Sequence, residues 1–387
     1  MKNYNSGPAK YLAIGMFFVC GSFVTVLNSI ILKNSYPWRY NTYLQFKKPW
    51  FQNWIMFIGM SIFFIPNTIK YLRKRKESED GVSIFVLFRE SSLPSLLYIL
   101  ATVLQNYALI YMPPTVWQVF FGFQILFTTL FAVTYRKQHL YLVDWLGLFI
   151  SVAGMSFTGV AALLRGTDTS TDSEVTTIFF MFIIAIFSHG VKSFQTILEE
   201  RLLHDRKITG SELTGLEGIW GFYVSTFISL PICNVLSPGG RLGLYENTLE
   251  SFEMISMSAV LRNLLIGFFI SVTLFSYSGL LITEFSTAIH RNMYEIIRPL
   301  PVWLLSLAAR YLTGIEGVGE TVDRYTILEM AGFAISVIGS IIYNRVWRFG
   351  CFLYVETNET DTKLNSTTQY ILDESPLLKE RTDYVGN

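Results

Sequence analysis

Long apolar runs alternate with short polar connections along most of the 387-residue chain. Ten of these runs approach the roughly 20 residues that a helix needs to cross a bilayer. The first run is too long for a signal-peptide core, so we expect it to be retained as a membrane span. The ten predicted spans are Tyr11–Leu32, Phe51–Ile69, Leu93–Met112, Thr115–Thr134, Leu142–Leu163, Thr176–Leu198, Thr214–Val235, Leu264–Ile282, Ala288–Ala309 and Tyr325–Tyr343.

Two of these runs open with the same pattern, acid-x-x-Gly-x-x-Ile-Ser-Val-x-Gly. It covers residues 144–154 in the fifth span and 329–339 in the tenth. A duplicated unit of five spans has an odd number of crossings, so its second copy must be inserted upside down, as in many transporters. We therefore predict an all-α polytopic membrane protein with ten transmembrane helices in two inverted five-helix repeats, over residues 11–164 and 165–345. The glycines of the pattern also suit the close approach of two helices.

The composition supports a membrane protein. Hydrophobic residues make up 51% of the chain and charged residues only 15%, against about 25% charged residues in soluble proteins. The net charge of +1 gives no bulk attraction to nucleic acid. The sequence contains no nucleotide-binding loop, and its spans contain no histidine box, acidic pair or Cys/His cluster, so we expect no cofactor, no metal and no enzyme activity.

Lysine and arginine are concentrated in the connections that follow the even-numbered spans. This bias predicts that both termini are cytosolic, with residues 1–10 as a short N-terminal segment. The polar residues 346–387 are predicted to form a disordered cytosolic tail. Between the seventh and eighth spans, residues 247–257 are spaced as a short helix lying on the membrane interface.

The tail contains an acid-x-x-x-Leu-Leu sequence, formed by Asp373, Leu377 and Leu378. This pattern is typical of sorting signals that clathrin adaptors bind. It predicts an endomembrane location, with the lysosome or late endosome favoured over the Golgi. Two Asn-x-Thr sequons, at Asn358 and Asn365, would remain unused in a cytosolic tail.

The ninth span carries the candidate binding chemistry. Arg291, Glu295 and Arg298 are spaced i, i+4 and i+7, which places them on one helical face. A charge near the bilayer centre costs about 2.5–3.5 kcal/mol, so this face must meet other helices or a wet cavity. Glu295 pairing with both arginines would lock the bundle. Alternatively, an arginine with spare donors would bind an anionic solute. Pro299 and Pro301 would break this helix locally.

Other polar residues within the spans also allow two interpretations each. Lys192 either binds substrate or extends its ammonium to the nearby membrane surface. His189 is either a hydrogen-bonded core residue or a ligand or proton carrier, and Glu217 either pairs with an arginine, carries a coupling proton or lies at the interface. Asn106 and Gln118 would hydrogen-bond a solute and Tyr277 would stack on it, unless all three serve helix packing.

Several modest motifs follow one another in a characteristic order between about Tyr43 and Arg345. They are Phe46–Gln52 through Met56–Gly59; Val116–Gln118 with Phe127-Thr128; Gln195 with Glu199-Glu200; Gly215–Gly221; and Ser286–Ala288 with Arg291, Glu295, Arg298, Trp303 and Ser306-Leu307. In their order the chain resembles the drug/metabolite transporter superfamily, and within it subfamily F of solute carrier family 35. The resemblance implies a ten-span, two-repeat fold and a solute-carrier function. One position departs from the family, which usually has an arginine-glycine pair in span four where this chain has Phe121-Gly122.

These features favour a secondary-active or exchange transporter that works by alternating access. Its substrate would be a small organic anion, either similar to the nucleotide sugars that related subfamilies carry or another metabolite. The alternative is a non-transporting membrane receptor or scaffold in which the buried charges are structural. The expected partners are membrane lipid, the solute and a clathrin adaptor.

Overall fold

The structure is a computed structural model, and it describes residues 7–37, 43–74, 84–111, 114–166, 172–235, 246–313 and 325–343. By their backbone contacts, these described residues belong to one structural unit. Residues 344–387, including the predicted sorting signal Asp373, Leu377 and Leu378, lie outside the described residues. The helices are α1 (Gly7–Lys33), α2 (Pro49–Ser61), α3 (Phe64–Lys74), α4 (Ile84–Glu90), α5 (Ser92–Tyr111), α6 (Pro114–Thr134), α7 (Leu142–Gly166), α8 (Asp172–Asp205), α9 (Gly210–Val224), α10 (Leu230–Val235), α11 (Thr248–Met257), α12 (Ala259–Phe285), α13 (Ala288–Ile297), α14 (Pro299–Thr313) and α15 (Thr326–Tyr343).

The predicted polytopic, mostly helical membrane protein is confirmed. Within the described residues, seven helical stretches are long and apolar enough to cross a membrane. All ten predicted spans coincide with helix, although three are interrupted: the second is split into α2 and α3, the seventh contains a π-helical turn at Ser225–Ser229, and the ninth is split into α13 and α14. The count of ten crossings and their inverted order remain predictions.

The break between α13 and α14 follows from the two prolines of this segment. Pro299 and Pro301 have no backbone N–H, so neither donates the helical hydrogen bond to the carbonyl four residues earlier. Helix α13 ends at Ile297 and α14 begins at Pro299, with Arg298 at the junction. Arg298 still donates its backbone N–H to Tyr294 at 3.1 Å, so the chain continues through the break without a loop.

The repeated motif forms the contact between its own two copies, because α7 packs against α15 along both sets of glycines. A Cβ atom added at Gly147 would lie 2.7 Å from the backbone nitrogen of Tyr343, and one added at Gly154 would lie 2.5 Å from that of Ser336. At the middle of the crossing, Ser151 donates its hydroxyl to the Ser336 carbonyl at 3.4 Å and Ser336 donates to the Ser151 carbonyl at 3.2 Å. The glycines therefore permit the close approach that the sequence suggested.

One end of the bundle, here called the hairpin face, carries two short strands that the all-α prediction did not include. Strands β1 (Ser35–Pro37) and β2 (Tyr43–Gln45) pair antiparallel, with Tyr36 opposite Leu44. The predicted interfacial helix is also here, as α11, and Asn247 caps its first turn by accepting N–H donors from Leu249 and Glu250.

Glu246, just before α11, caps a second helix on the hairpin face. Its carboxylate accepts the backbone N–H groups of Trp50 and Phe51, in the first turn of α2, at 2.9 and 3.1 Å. Lys48 pairs with Glu250 of α11 at 2.6 Å. These contacts fasten the start of α2 to the segment preceding α12, and they satisfy N–H groups that a helix start leaves without intrahelical acceptors.

The opposite end, here called the basic face, holds the connections that the sequence places in the cytosol. Arg136 binds both carboxylate oxygens of Asp205 at 2.9 Å. The buried Glu200 accepts the backbone N–H of Ala288, at the start of α13, at 2.9 Å and the side-chain amide of Gln138 at 2.6 Å. Beneath these contacts lies a buried apolar cluster of Leu87, Leu202, Leu203, Ile208, Leu213, Leu216 and Leu280.

A Gly154→Ala variant tests the α7–α15 contact. We expect the added methyl group to lower the unfolding free energy by about 1–3 kcal/mol, because it meets the backbone of α15 and forces the helices apart. The matched control is Gly15→Ala in α1, where an added Cβ finds no atom within 4 Å among the described residues. Thermal unfolding in detergent measures both variants, and equal melting temperatures would contradict the contact.

The pH dependence of stability tests the Glu246 cap. Burial raises the pKa of Glu246 from 4.5 to about 8, although the two N–H donors and Lys48 act in the opposite direction. The folded protein thus binds this proton more tightly than the unfolded chain, so the associated stabilisation is present below about pH 4.5 and is lost as pH rises through about 8. We expect the melting temperature to fall over this range, with a shallower slope in Glu246→Gln. An unchanged slope in that variant, or a slope lost equally in the control Glu253→Gln on α11, would contradict this assignment.

Candidate functional site

A polar cavity of about 120 Å³ lies among seven helices in the half of the bundle nearer the hairpin face. Its position follows from the helix ends that line it: Asn28 lies near the end of α1, Gln52 near the start of α2 and Asn106 near the end of α5. Its walls also include four of the charged residues predicted from the sequence. These are Lys192, Arg291, Glu295 and Arg298.

Both arginines of the predicted charged face are paired, but with different carboxylates. The guanidinium of Arg291 donates to a carboxylate oxygen of Glu199 of α8 at 2.7 Å. A guanidinium nitrogen of Arg298 lies 3.0 Å from a carboxylate oxygen of Glu295. The other oxygen of Glu199 accepts the amide of Gln195. Glu295 therefore does not bridge both arginines, as one interpretation of the sequence proposed, and the charge of each guanidinium is compensated.

Aromatic rings and glycines fit closely around these guanidinium groups. The Arg298 guanidinium lies 4.8 Å from the ring centre of Phe121 and 5.0 Å from that of Phe275, which is within the range of cation–π attraction. A Cβ atom added at Gly279 of α12 would lie 2.9 Å from Nε of Arg291. The absence of a side chain at Gly279 is thus what lets α12 pass beside the Arg291–Glu199 pair.

Of the three cations that line the cavity, Lys192 is the one without a contacting carboxylate among the described residues. Its ammonium lies 3.5 Å above the centre of the Tyr98 ring. Among the described residues, no carboxylate oxygen lies within ion-pair distance of its Nζ atom and no acceptor hydrogen-bonds it. The residue is only 8% exposed, so its ammonium does not extend to the surface. Lys192 therefore offers donors to whatever enters the cavity.

Carboxamide side chains supply most of the remaining polar surface. Asn28 donates to Asn106 at 3.0 Å. Gln52 is fully buried, and neither its amide nitrogen nor its oxygen has a hydrogen-bond partner among the described residues. The side-chain amide nitrogen of Asn53 also has no hydrogen-bond partner among the described residues. Buried polar groups are nearly always satisfied, so these amides indicate a cavity filled by water or by a polar solute.

Glu217 and His189 lie behind the cavity and do not line it. Glu217 is fully buried on α9 beside the carboxyl group of Glu199, and no donor among the described residues binds either of its oxygens. The His189 ring bonds the Ala185 carbonyl at 2.9 Å and stacks against Phe120. That either residue carries a coupling proton or pairs with another charged group remains a prediction.

Of two other predicted residues, Tyr277 lies away from the cavity wall, and the side chain of Gln118 is not described. Tyr277 stacks on Phe63 with ring centres 4.5 Å apart and is not among the residues of the cavity wall. The side chain of Gln118 lies outside the described residues. Gln124, one and a half turns further along α6, does line the cavity, and it donates to Asn292 of α13 at 3.0 Å.

Sequence reasoning missed Glu199, Gln52 and Asn53. The polar pair Glu199-Glu200 suggested that the sixth span ends at Leu198, whereas α8 continues to Asp205 and buries both residues. The spacing of Lys192, Gln195 and Glu199, at i, i+3 and i+7, is the signal that would have placed Glu199 on the same face as Lys192. Gln52 and Asn53 carry no comparable signal.

The described residues contain no group of three or more His, Cys, Asp or Glu side chains arranged to hold a metal ion. The cavity wall presents ammonium, guanidinium, carboxyl and amide groups. Groups of these kinds form ion pairs and hydrogen bonds with polar solutes.

The chain is similar in sequence to known transporter proteins. Residues 12–160 match the EamA-like transporter family. Solute carrier family 35 member F6 of Rattus norvegicus is 26% identical over 309 residues, spanning 78% of this chain and 79% of the relative. The human protein of the same name is 27% identical over 259 residues, or 66% of each chain. A known crystal structure matches 87% of this chain and 98% of its own chain, with a TM-score of 0.53 and 12% identity, and this match shows similarity of fold alone.

The chain is therefore similar to proteins of the drug/metabolite transporter superfamily, a group of small-solute transporters. Within that superfamily, the relatives named above belong to solute carrier family 35, subfamily F. The family resemblance predicted from the sequence is thus confirmed. Phe121, the position at which the sequence departs from the family pattern, has its ring centre 4.8 Å from the guanidinium of Arg298, at the junction of α13 and α14.

An Arg291→Met variant tests the central ion pair. Removing one partner of a buried pair leaves Glu199 as an uncompensated buried charge, and we expect a loss of about 3–5 kcal/mol in stability. The matched control is Arg201→Met, which removes an exposed i, i+4 pair with Asp205 and should cost less than about 1 kcal/mol. Melting temperatures in detergent measure both, and similar losses would contradict a buried, compensated Arg291–Glu199 pair.

Proposed function

We propose that this protein is a secondary carrier that binds a small organic anion in the central cavity and moves it by alternating access. One observation supports this proposal most directly: the buried ammonium of Lys192 lines a polar cavity without a contacting carboxylate. A buried cation is costly unless a counter-charge accompanies it. A visiting anion supplies that counter-charge at the position where Lys192 meets the cavity.

The pattern of helix packing supports two inverted five-helix repeats. Two five-span repeats would pair each predicted span with the one five places further along, so that α1 corresponds to α8, α5 to α12 and α6 to α13–α14. Under this correspondence, the α1–α12 contact has its counterpart in the α8–α5 contact. The α6–α8 contact has its counterpart in the α14–α1 contact. The α2–α9, α6–α13 and α7–α15 contacts each join a span to its own counterpart in the other repeat. This is the arrangement expected of two homologous halves related by a pseudo-two-fold axis.

Contacts at the basic face support alternating access. Between the cavity and that face lie the Arg291–Glu199 pair, the Glu200–Ala288 hydrogen bond and the buried leucine-rich cluster. Release of solute toward the basic face would require these contacts to separate, chiefly by movement of α13 away from α8. The proposed cycle therefore has a state closed on this side, represented by the present structure, and a second state in which these contacts are broken.

The volume of the cavity favours a compact anion. Pockets for drug-sized ligands usually measure about 300–1,000 Å³, whereas this cavity measures about 120 Å³. A nucleotide sugar would exceed it in the state described. A small carboxylate or phosphate fits, with Lys192 binding the charged group and with Gln52 and Asn53 binding hydroxyl or carbonyl groups.

Uptake into proteoliposomes tests this function. The panel comprises labelled monocarboxylates, dicarboxylates, phosphate esters and nucleotide sugars. We expect saturable uptake of at least one small anion, reduced at least about tenfold in Lys192→Met because about 1.4 kcal/mol or more of charge-assisted binding is lost. Arg201→Met, an exposed cation on the same helix, is the matched control and should transport normally. Transport by Lys192→Met at the rate of the parent protein would refute the assigned site.

The pairing of both arginines with internal carboxylates favours a second candidate, a membrane receptor or scaffold. In that case the buried charges fix helix positions and no solute crosses. Uptake at background for every compound of the panel, by protein that is folded and correctly inserted, would favour this alternative over the carrier.

We further propose that the protein resides in an endomembrane, the lysosome or late endosome before the Golgi. The support is the sequence of the tail, where Asp373, Leu377 and Leu378 form an adaptor-type signal. The membrane character of the chain is consistent with this location.

A further inference from the structure

Six charged side chains meet inside the bundle, and each is at most 8% exposed. They are the cations Lys192, Arg291 and Arg298 and the carboxyl groups of Glu199, Glu217 and Glu295. Because uncompensated charge is expensive in an apolar interior, the sum of these charges constrains what the site can bind.

Two ion pairs account for four of the six groups. Arg291 pairs with Glu199 and Arg298 with Glu295. Lys192 and Glu217 remain, and they interact electrostatically through the interior, with no ion pair between them among the described residues. If all six groups are ionised, the negative charge of Glu217 is the one that balances the positive charge of Lys192.

The two remaining groups do not face the same space. Lys192 lines the cavity and can contact a solute, whereas Glu217 lies behind it on α9 and does not. An anion that binds Lys192 therefore neutralises the charge of the ammonium group and leaves the negative charge of Glu217 uncompensated. No donor among the described residues hydrogen-bonds Glu217, and the adjacent Glu199 carboxylate repels it, which leaves only the longer-range attraction of Arg291.

We infer that binding of the solute anion is coupled to the uptake of one proton by Glu217, so that the carrier moves anion and proton together. This inference rests on the proposed function and adds its coupling ion. In the step, a proton from solvent adds to a carboxylate oxygen of Glu217 and forms a carboxylic acid, while the anion keeps its own bonds. The translocated pair, one negative solute charge and one proton, carries no net charge.

The groups around Glu217 are consistent with this role. On α8 it meets Lys192 and Glu199, on α13 Arg291 and on α5 the buried Tyr98. Helix α2, which packs closely on α9, contains no ionisable residue. On α12, Glu284 accepts the backbone N–H of Gly210 and Tyr277 stacks on Phe63, so both face other partners. The ionisable side chains of α3, residues 70–74, lie outside the description.

Calorimetric titration of the full-length purified protein with lactate, a compact monoanion with one hydroxyl group, tests the coupling. Titrations in two buffers of different ionisation enthalpy give the number of protons taken up per bound anion. We expect about one proton for the parent protein, with lactate affinity falling as pH rises because binding and protonation are linked. We expect lactate affinity to become independent of pH, with no proton uptake, in Glu217→Gln, which mimics the protonated state.

Two further variants distinguish coupling from a structural role of Glu217. Glu217→Asp keeps a carboxyl group and should retain proton uptake. Lys192→Met should lose lactate binding. Lactate binding without proton uptake by the parent protein, or equal uptake by Glu217→Gln, would overturn the inference and leave the proposed carrier intact. Absence of lactate binding to the folded parent protein would instead contradict the compact-anion site on which the inference rests.

Discussion

The buried ion pair between Arg291 and Glu199 is the interaction on which the rest of the site depends. It joins α13 to α8 where both helices approach the basic face, and Gly279 of α12 leaves the space that the guanidinium fills. A charge can remain inside an apolar bundle only if a nearby group compensates it. Because Arg291 and Arg298 each contact a carboxylate, Lys192 is the cation of the cavity wall that has no contacting carboxylate among the described residues.

The proposed transport chemistry follows from how the polar groups are distributed around this pair. The amides of α2 and α5 and the ammonium of Lys192 face the cavity, while Glu217 and the apolar cluster of the basic face lie behind it. A carrier must bind its solute without an excess of buried charge and must then release it. The fold alone does not determine which solute is carried, since related folds serve different functions, so the proposal rests on these side chains.

Much of the fold could be predicted because its signals are local. The lengths of apolar runs indicate spans, the i, i+4 and i+7 spacing placed Arg291, Glu295 and Arg298 on one face, and the repeated glycine pattern marked α7 and α15. The partners of these groups could not be predicted in the same way. That Glu199 pairs with Arg291, that Glu246 caps α2 and that Gln52 faces the cavity all depend on which helices pack together. The β1–β2 pair was missed because its strands are only three residues long.

The central claim is that an anion visits Lys192 inside the bundle. The most direct measurement is an experimental density map of the protein in a lipid nanodisc with a saturating compact carboxylate. The account predicts ligand density in the cavity within hydrogen-bond distance of the Lys192 ammonium, with Arg291 still on Glu199. An empty cavity with Lys192 bound instead to the Glu217 carboxylate would contradict it.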